Sequence, residues 1–249
     1  VALLNWTPPG SFPQWVGPDT SLRHALWDPR SRRFYLTVDS TAGRTGNALV
    51  SFDPVTGRFG RPLFPGSLPN RLALADDGSR LYVALDGTSE VAVCDLPSLT
   101  ISQRFPLRLS LNGVYSRTVR DSFVVPGQPT QYVASLITGL SELTLPADGT
   151  ALYRDGIKAP IEVPGSMATH IAPAPDPGVL FGADSQSPPP AALLRIEVTP
   201  NGLEGVQQRG RFAGSPGDFV VSGNWLIGED GSTVSTLTGD WKLLEGFAG

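Results

Sequence analysis

Short strand-like runs rich in apolar residues and bounded by turn residues recur along the whole chain. Ala48-Leu49-Val50-Ser51-Phe52-Asp53 and Leu193-Leu194-Arg195-Ile196-Glu197-Val198 show the period-two alternation of half-buried strands. Such runs come in sets with a fixed internal order. An apolar run opens each set: Ala25-Leu26-Trp27, Leu72-Ala73-Leu74, Phe123-Val124-Val125, Ile171-Ala172 and Phe219-Val220-Val221. A polar turn follows, then an aromatic strand such as Arg33-Phe34-Tyr35-Leu36-Thr37-Val38 or Arg80-Leu81-Tyr82-Val83-Ala84-Leu85. An alternating strand, a turn such as Pro54-Val55-Thr56-Gly57 and a more polar last strand complete the set. Anchored on Tyr35, Tyr82, Tyr132, Phe181 and Leu226, the sets repeat in steps of 47, 50, 49 and 45 residues.

Four short antiparallel strands repeated in tandem predict an all-β chain built as a β-propeller of four-stranded blades. One such sheet exposes two apolar faces, and only stacking against its neighbours buries both. The expected blades are 21–67, 68–110, 111–166, 167–214 and 215–249 of a single domain, with 1–20 an extra strand or the remnant of a neighbouring blade. A five-bladed ring and an arc of a longer propeller both fit the repeat. The long apolar faces that an arc leaves open lead us to expect further blades. The alternative architecture is a β-sandwich with fortuitous repetition.

Composition agrees. Gly (28) and Pro (24) interrupt the chain so often that its longest stretch free of both, Arg30 to Ala42, is 13 residues, leaving almost no room for a helix. Asp-Gly pairs at Asp77, Asp86, Asp148, Asp155 and Asp230 predict tight hairpins, because Gly tolerates positive φ. The single cysteine, Cys94, rules out an intrachain disulfide and is expected to be buried on its strand. Trp15, Trp27, Trp225 and Trp241 are expected to fill space between blades. The first residue is Val1 rather than Met, from which a processed or truncated start is expected.

A net charge of −4 gives no electrostatic reason to expect nucleic acid, and no segment reaches the ~18 apolar residues of a membrane span. The one basic cluster, Arg30-Ser31-Arg32-Arg33, reads as a solvated turn, with a phosphate patch as the minority alternative. No nucleophile elbow, phosphate loop, dinucleotide fingerprint or zinc-protease motif is present. The two histidines lie 146 positions apart, so no local zinc pair can form, and no metal or cofactor is expected.

The span from Leu68 to Gly87, LPNRLALADDGSRLYVALDG, resembles the blade of YVTN-type propeller repeats, P-x-x-L-A-x-S-x-D-G-x-x-L-Y-V. His24 to Gly57 resembles the same unit, with Phe52-Asp53-Pro54-Val55-Thr56-Gly57 as the usual strand-and-turn ending. The later blades are similar to looser blades of bacterial secreted or cell-surface members. The third lacks the Asp-Gly before its aromatic strand, and the fifth is shortened there. The resemblance implies a seven-bladed propeller acting as a binding or scaffold module, secreted or at the cell surface. Its partner would be a protein or a small polar ligand. More distantly, sugar-lactonases share such repeats, which implies an alternative lactone-hydrolase activity drawing on His170, Arg71 and Asp121.

One set of residues points to a site. Aligned blade on blade, His24, Arg71, Asp121 and Asp218 fall where the first strand starts in blades one, two, three and five. His170 falls one place earlier in blade four. In a propeller these starts converge on one mouth of the central channel, so the five residues are the candidate ligand-facing ring. A hydrated rim of ordinary polar residues is the plainer reading of the same pattern.

Overall fold

The computed structural model describes residues 21–107, 116–138, 147–164, 168–183, 192–211, 219–222, 225–228, 232–235 and 241–243. Among these, twenty strands carry the structure, with a three-residue 3-10 turn at Gly43–Thr45. The strands form five four-stranded sheets, in each of which sequence neighbours pair antiparallel.

The first sheet comprises β1 (Leu22–Asp28), β2 (Arg33–Val38), β3 (Leu49–Asp53) and β4 (Arg58–Phe59). The second comprises β5 (Pro69–Leu74), β6 (Arg80–Leu85), β7 (Glu90–Asp95) and β8 (Thr100–Pro106). The third holds β9 (Arg117–Val124), β10 (Gln131–Thr138), β11 (Ala147–Arg154) and β12 (Ile157–Lys158). The fourth holds β13 (His170–Pro173), β14 (Val179–Ala183), β15 (Ala192–Thr199) and β16 (Gly202–Arg211). The fifth holds β17 (Phe219–Ser222), β18 (Trp225–Gly228), β19 (Ser232–Ser235) and β20 (Trp241–Leu243). Each repeat anchor, from Tyr35 to Leu226, sits on the second strand of its sheet.

The chain divides into two compact units, with the boundary between Pro106 and Leu107. In the first unit the core lies between the two sheets. Tyr35 and Leu49 meet Leu72, Leu81, Val83, Leu85, Ala92 and Cys94, all buried. In the second unit one apolar layer joins the third and fourth sheets through Val133, Leu152, Ile171, Leu180 and Ile196. Another joins the fourth and fifth through Phe181, Leu193, Phe219 and Leu226. Burying a large aliphatic side chain stabilises by about 1.5–3 kcal/mol, and each strand contributes several.

Turn chemistry fixes the registers. Asp155 and Gly156 have φ of 47° and 78°, the double positive φ of a type I′ hairpin, and join β11 to β12 in two residues. Asp148-Gly149 behaves otherwise. It lies inside β11, where the pairing slips between Leu136 and Ile137, so this Asp-Gly makes a bulge and not a turn. Asp230-Gly231 lies outside the described residues. Gly202 opens β16 against the backbone of Ile161, where a Cβ would come within 2.0 Å of the Ile161 carbonyl oxygen. Trp27 departs from the space-filling role expected of it. It is 41% exposed on the first sheet, while Cys94 is fully buried as expected. Trp15 lies outside the described residues.

Candidate functional site

His24, Arg71, Asp121 and His170 stand on the first strands of their sheets, and three of those strands carry a pairing irregularity. The register shifts between Leu22 and His24 in the first sheet, between Pro69 and Leu72 in the second, and between Ser135 and Leu136 in the third. A bulge at a strand end turns one side chain out of the regular alternation, and strand ends beside sites often carry one. The bulges also reset the alignment. His24 faces Thr37 and His170 faces Ala183, each two residues past its aromatic anchor, so these two are equivalent. Asp121 faces Ser135, three past Tyr132. Arg71 falls inside the bulge of β5. Asp218 lies outside the described residues.

The structure brings these residues together in two pairs of strands. In the first unit, the Leu72 N–H donates to His24 Nδ1 at 3.2 Å, and the Thr37 hydroxyl donates to the Asn70 carbonyl at 2.9 Å. In the second unit, the Ile171 N–H donates to Asp121 Oδ2 at 2.9 Å, and the Ser135 hydroxyl donates to the Thr169 carbonyl at 2.8 Å. The two arrangements are the same device. A facing pair, His24 with Thr37 or Asp121 with Ser135, grips the backbone of the next sheet's first strand at two points two residues apart. Both bonds occupy groups that would otherwise be orphaned at a strand end, where an unsatisfied buried polar group costs about 1–3 kcal/mol. To accept at Nδ1, His24 keeps its ring proton on Nε2.

Around the first grip, Asp86 accepts from Asn70 Nδ2 at 2.8 Å. Arg23 reaches Asp39 at 3.4 Å and Asp86 at 3.6 Å. Around the second, Arg120 Nη2 stands 3.3 Å from His170 Nε2, and His170, Arg117 and Thr118 are buried. Arg71 differs from its neighbours: it is half-buried and makes no hydrogen bond or ion pair among the described residues. Sequence reasoning did not single out Arg23, Asn70, Asp86, Thr37, Ser135 or Arg120. The available signal was a hydroxyl two or three residues after the anchoring tyrosine, at Thr37 and Ser135.

Solved structures share the fold of the chain. The chain is similar to a calcium-binding protein, regucalcin, from Agrobacterium tumefaciens, at 13% identity and TM-score 0.57 over 90% of this chain and 74% of that one. It is similar to the Dos1 propeller at 12% identity and TM-score 0.59, over 89% of this chain and 56% of that one. It is also similar to a luciferin-regenerating enzyme at 14% identity and TM-score 0.57, over 92% of this chain and 78% of that one. The fold is a β-propeller.

Identities this low carry the architecture of the propeller and not its chemistry. No family model matches the chain, and no curated protein matches it by sequence. Among the described residues of the propeller, no three His, Cys, Asp or Glu side chains gather closely enough to hold a metal ion. No helix among them is long and apolar enough to cross a membrane.

Proposed function

We propose that this propeller is a binding or scaffold module rather than an enzyme, acting outside the cell or at its surface, and that the starts of its first strands form the ligand-facing mouth. The observation that carries this reading is the use made of the candidate side chains. His24 and Asp121 accept backbone N–H groups of the next sheet, which makes them parts of the frame. Arg71 is left as a half-buried cation with its donors open to a ligand. A guanidinium recognises a carboxylate with two parallel hydrogen bonds. In the first unit Asp39 and Asp86 stand beside Arg23 and offset its charge, so a zwitterionic or neutral polar ligand suits these strand ends better than a strong anion. The resemblance of the third to fifth blades to looser blades of bacterial secreted or cell-surface members supports the location.

A lactone-hydrolase reading draws on a different observation. Arg120, Asp121 and His170 come together on neighbouring strands of the second unit, a cation, a carboxylate and an imidazole within one short stretch. Two experiments separate the readings. Thermal shift against a panel of zwitterions, neutral sugars and small dianions should show stabilisation by zwitterionic or neutral polar compounds, as expected of a ligand that binds only the folded state. Assay of aldonolactones, with and without divalent metals, should show no turnover. Turnover lost in His170→Ala would reverse the assignment in favour of the hydrolase.

A further inference from the structure

A different joint between sheets lies away from the first strands, where the third sheet meets the turn from β15 to β16. That turn is two residues long, Pro200 and Asn201, both exposed, and Thr199 and Gly202 close it as a facing pair. Just past β12, Ile161 forms a parallel bridge with Gly202. Its N–H donates to the Asn201 carbonyl at 3.0 Å, and its carbonyl accepts the Leu203 N–H at 3.1 Å. From β11, Arg154 Nη1 donates to the Pro200 carbonyl at 2.8 Å and Nη2 donates to the Thr199 carbonyl. Within the turn, the Asn201 N–H donates to Thr199 Oγ1 at 3.2 Å. The third sheet thus holds the backbone on both sides of Asn201.

The close approach of Ile161 requires glycine after Asn201, since a Cβ there would collide with the Ile161 backbone. The same glycine makes the turn chemically labile. With no side chain beside it, the Gly202 nitrogen can attack the side-chain carbonyl carbon of the exposed Asn201. A solvent base takes the Gly202 amide proton as the nitrogen bonds to Asn201 Cγ. The Cγ–Nδ2 bond then breaks, and Nδ2 takes up a proton and leaves as ammonia. Water opens the cyclic imide at one of its two carbonyls. Opening at Cγ gives aspartate. Opening at the main-chain carbonyl gives isoaspartate, whose backbone runs through Cβ and Cγ and is one carbon longer. Overall, one water enters and one ammonia leaves. In isoaspartate a carboxylate replaces the carbonyl that accepted from Ile161, and the lengthened chain no longer matches the bridge.

We infer that Asn201-Gly202 is a self-modification site, an ageing switch in the joint between the third and fourth sheets, and that Arg154 and Ile161 set its rate. While they hold the turn, the Gly202 nitrogen stays in its pair with Thr199, and conversion waits on local opening. Once isoaspartate has formed, Ile161 cannot remake its two bonds in the old spacing, and the joint stays loosened.

The test ages the full chain in mildly alkaline buffer at physiological temperature, beside a peptide of residues 196–204. Peptide mapping by mass reads Asn201 separately from the chain's other Asn-Gly pair, Asn112-Gly113, and an isoaspartyl methyltransferase marks the isoaspartate product. Asn201 should convert in the folded chain, about tenfold or more slowly than in the peptide. Arg154→Ala should speed conversion about threefold or more, and Arg154→Lys, which cannot donate as a fork, should fall between. Circular dichroism establishes that each variant is folded. Aged protein should melt several degrees below fresh protein, whereas Asn201→Gln aged alike should keep its melting temperature. An Asn201 that does not convert in the folded chain overturns the proposal. Conversion as fast as in the peptide, or unchanged by Arg154→Ala, overturns control by the third sheet. Conversion that leaves melting unaltered overturns the switch.

Discussion

The first and second sheets carry the same row at the same register and use it in opposite ways. In the second sheet, the residue before the anchoring tyrosine is Leu81, and its row runs Leu74, Leu81, Cys94, Ile101. Leu81 and Cys94 are both 0% exposed, in the core against the first sheet. In the first sheet, the equivalent row is Trp27, Phe34, Phe52, Phe59, with both end residues about two-fifths exposed. Strand alternation dictates which residues share a face, but not what that face meets. The aliphatic row closes the core against the first sheet, and the aromatic row stands on the first sheet's other face, with Phe34 and Phe52 against Leu36, Val38, Ala48 and Val50.

The comparison can be broken at several points. The largest contrast should be chemical. Burial pushes the Cys94 thiol up to about 12, so the thiolate that reacts is scarce as well as shielded. Labelling of Cys94 in native buffer should run orders of magnitude slower than in urea and track unfolding. Rapid native labelling would show that the second sheet's row is open like the first's. Next in size is truncation. Leu81→Ala should cost about 2–5 kcal/mol in urea unfolding, the range for buried leucines. Phe59→Ala should cost about 1 kcal/mol or less, since its ring is already partly in water. Equal costs would erase the distinction between the rows.

The inter-sheet grips come third. Thr37→Val and Ser135→Ala each leave a buried carbonyl, of Asn70 and of Thr169, without its hydroxyl donor. Each should destabilise by about 1–2 kcal/mol, with little change in secondary structure. The smallest effect is that of the turns. Hydrogen bonds from the Thr41 amide, the Thr56 amide and the Ser79 hydroxyl hold Asp39, Asp53 and Asp77 below the usual carboxylate range. Carboxylates depressed in the folded state contribute in full above their unfolded value, near 4, and lose that contribution as pH falls through the folded one. The urea midpoint should therefore stay level on this account down to about pH 5 and decline below about pH 4. Asn at all three positions should make that decline shallower, by little, because none of the three groups is buried.

Much of the fold is legible in the residues themselves. The spacing of Tyr35, Tyr82, Tyr132, Phe181 and Leu226 marks the second strand of every sheet, because strand order repeats while only loop lengths vary. The bulges are not legible. Asp148-Gly149 has the composition of a hairpin turn, yet β11 runs through it, since pairing with β10 on both sides outweighs the local preference. The candidate site suffers for the same reason. Blade alignment by residue count assumes an unbroken register, and a bulge in β1, β5 or β9 shifts a side chain by one place. Composition showed that His24, Arg71, Asp121 and His170 are polar at strand starts. It did not show that backbone amides of the next sheet occupy two of them, because that depends on contacts some fifty residues away.

The central claim is a division of labour at those strand starts, with His24 holding sheets together and Arg71 left to meet a ligand. Parallel measurement of melting temperature and ligand affinity for His24→Ala and Arg71→Ala, using the best ligand from the thermal-shift panel, tests it most directly. The account predicts that His24→Ala lowers the melting temperature by several degrees, the equivalent of about 1 kcal/mol or more. Arg71→Ala should leave melting nearly unchanged and weaken binding about tenfold or more. Arg71→Ala that binds as wild type, or that destabilises as much as His24→Ala, would contradict it.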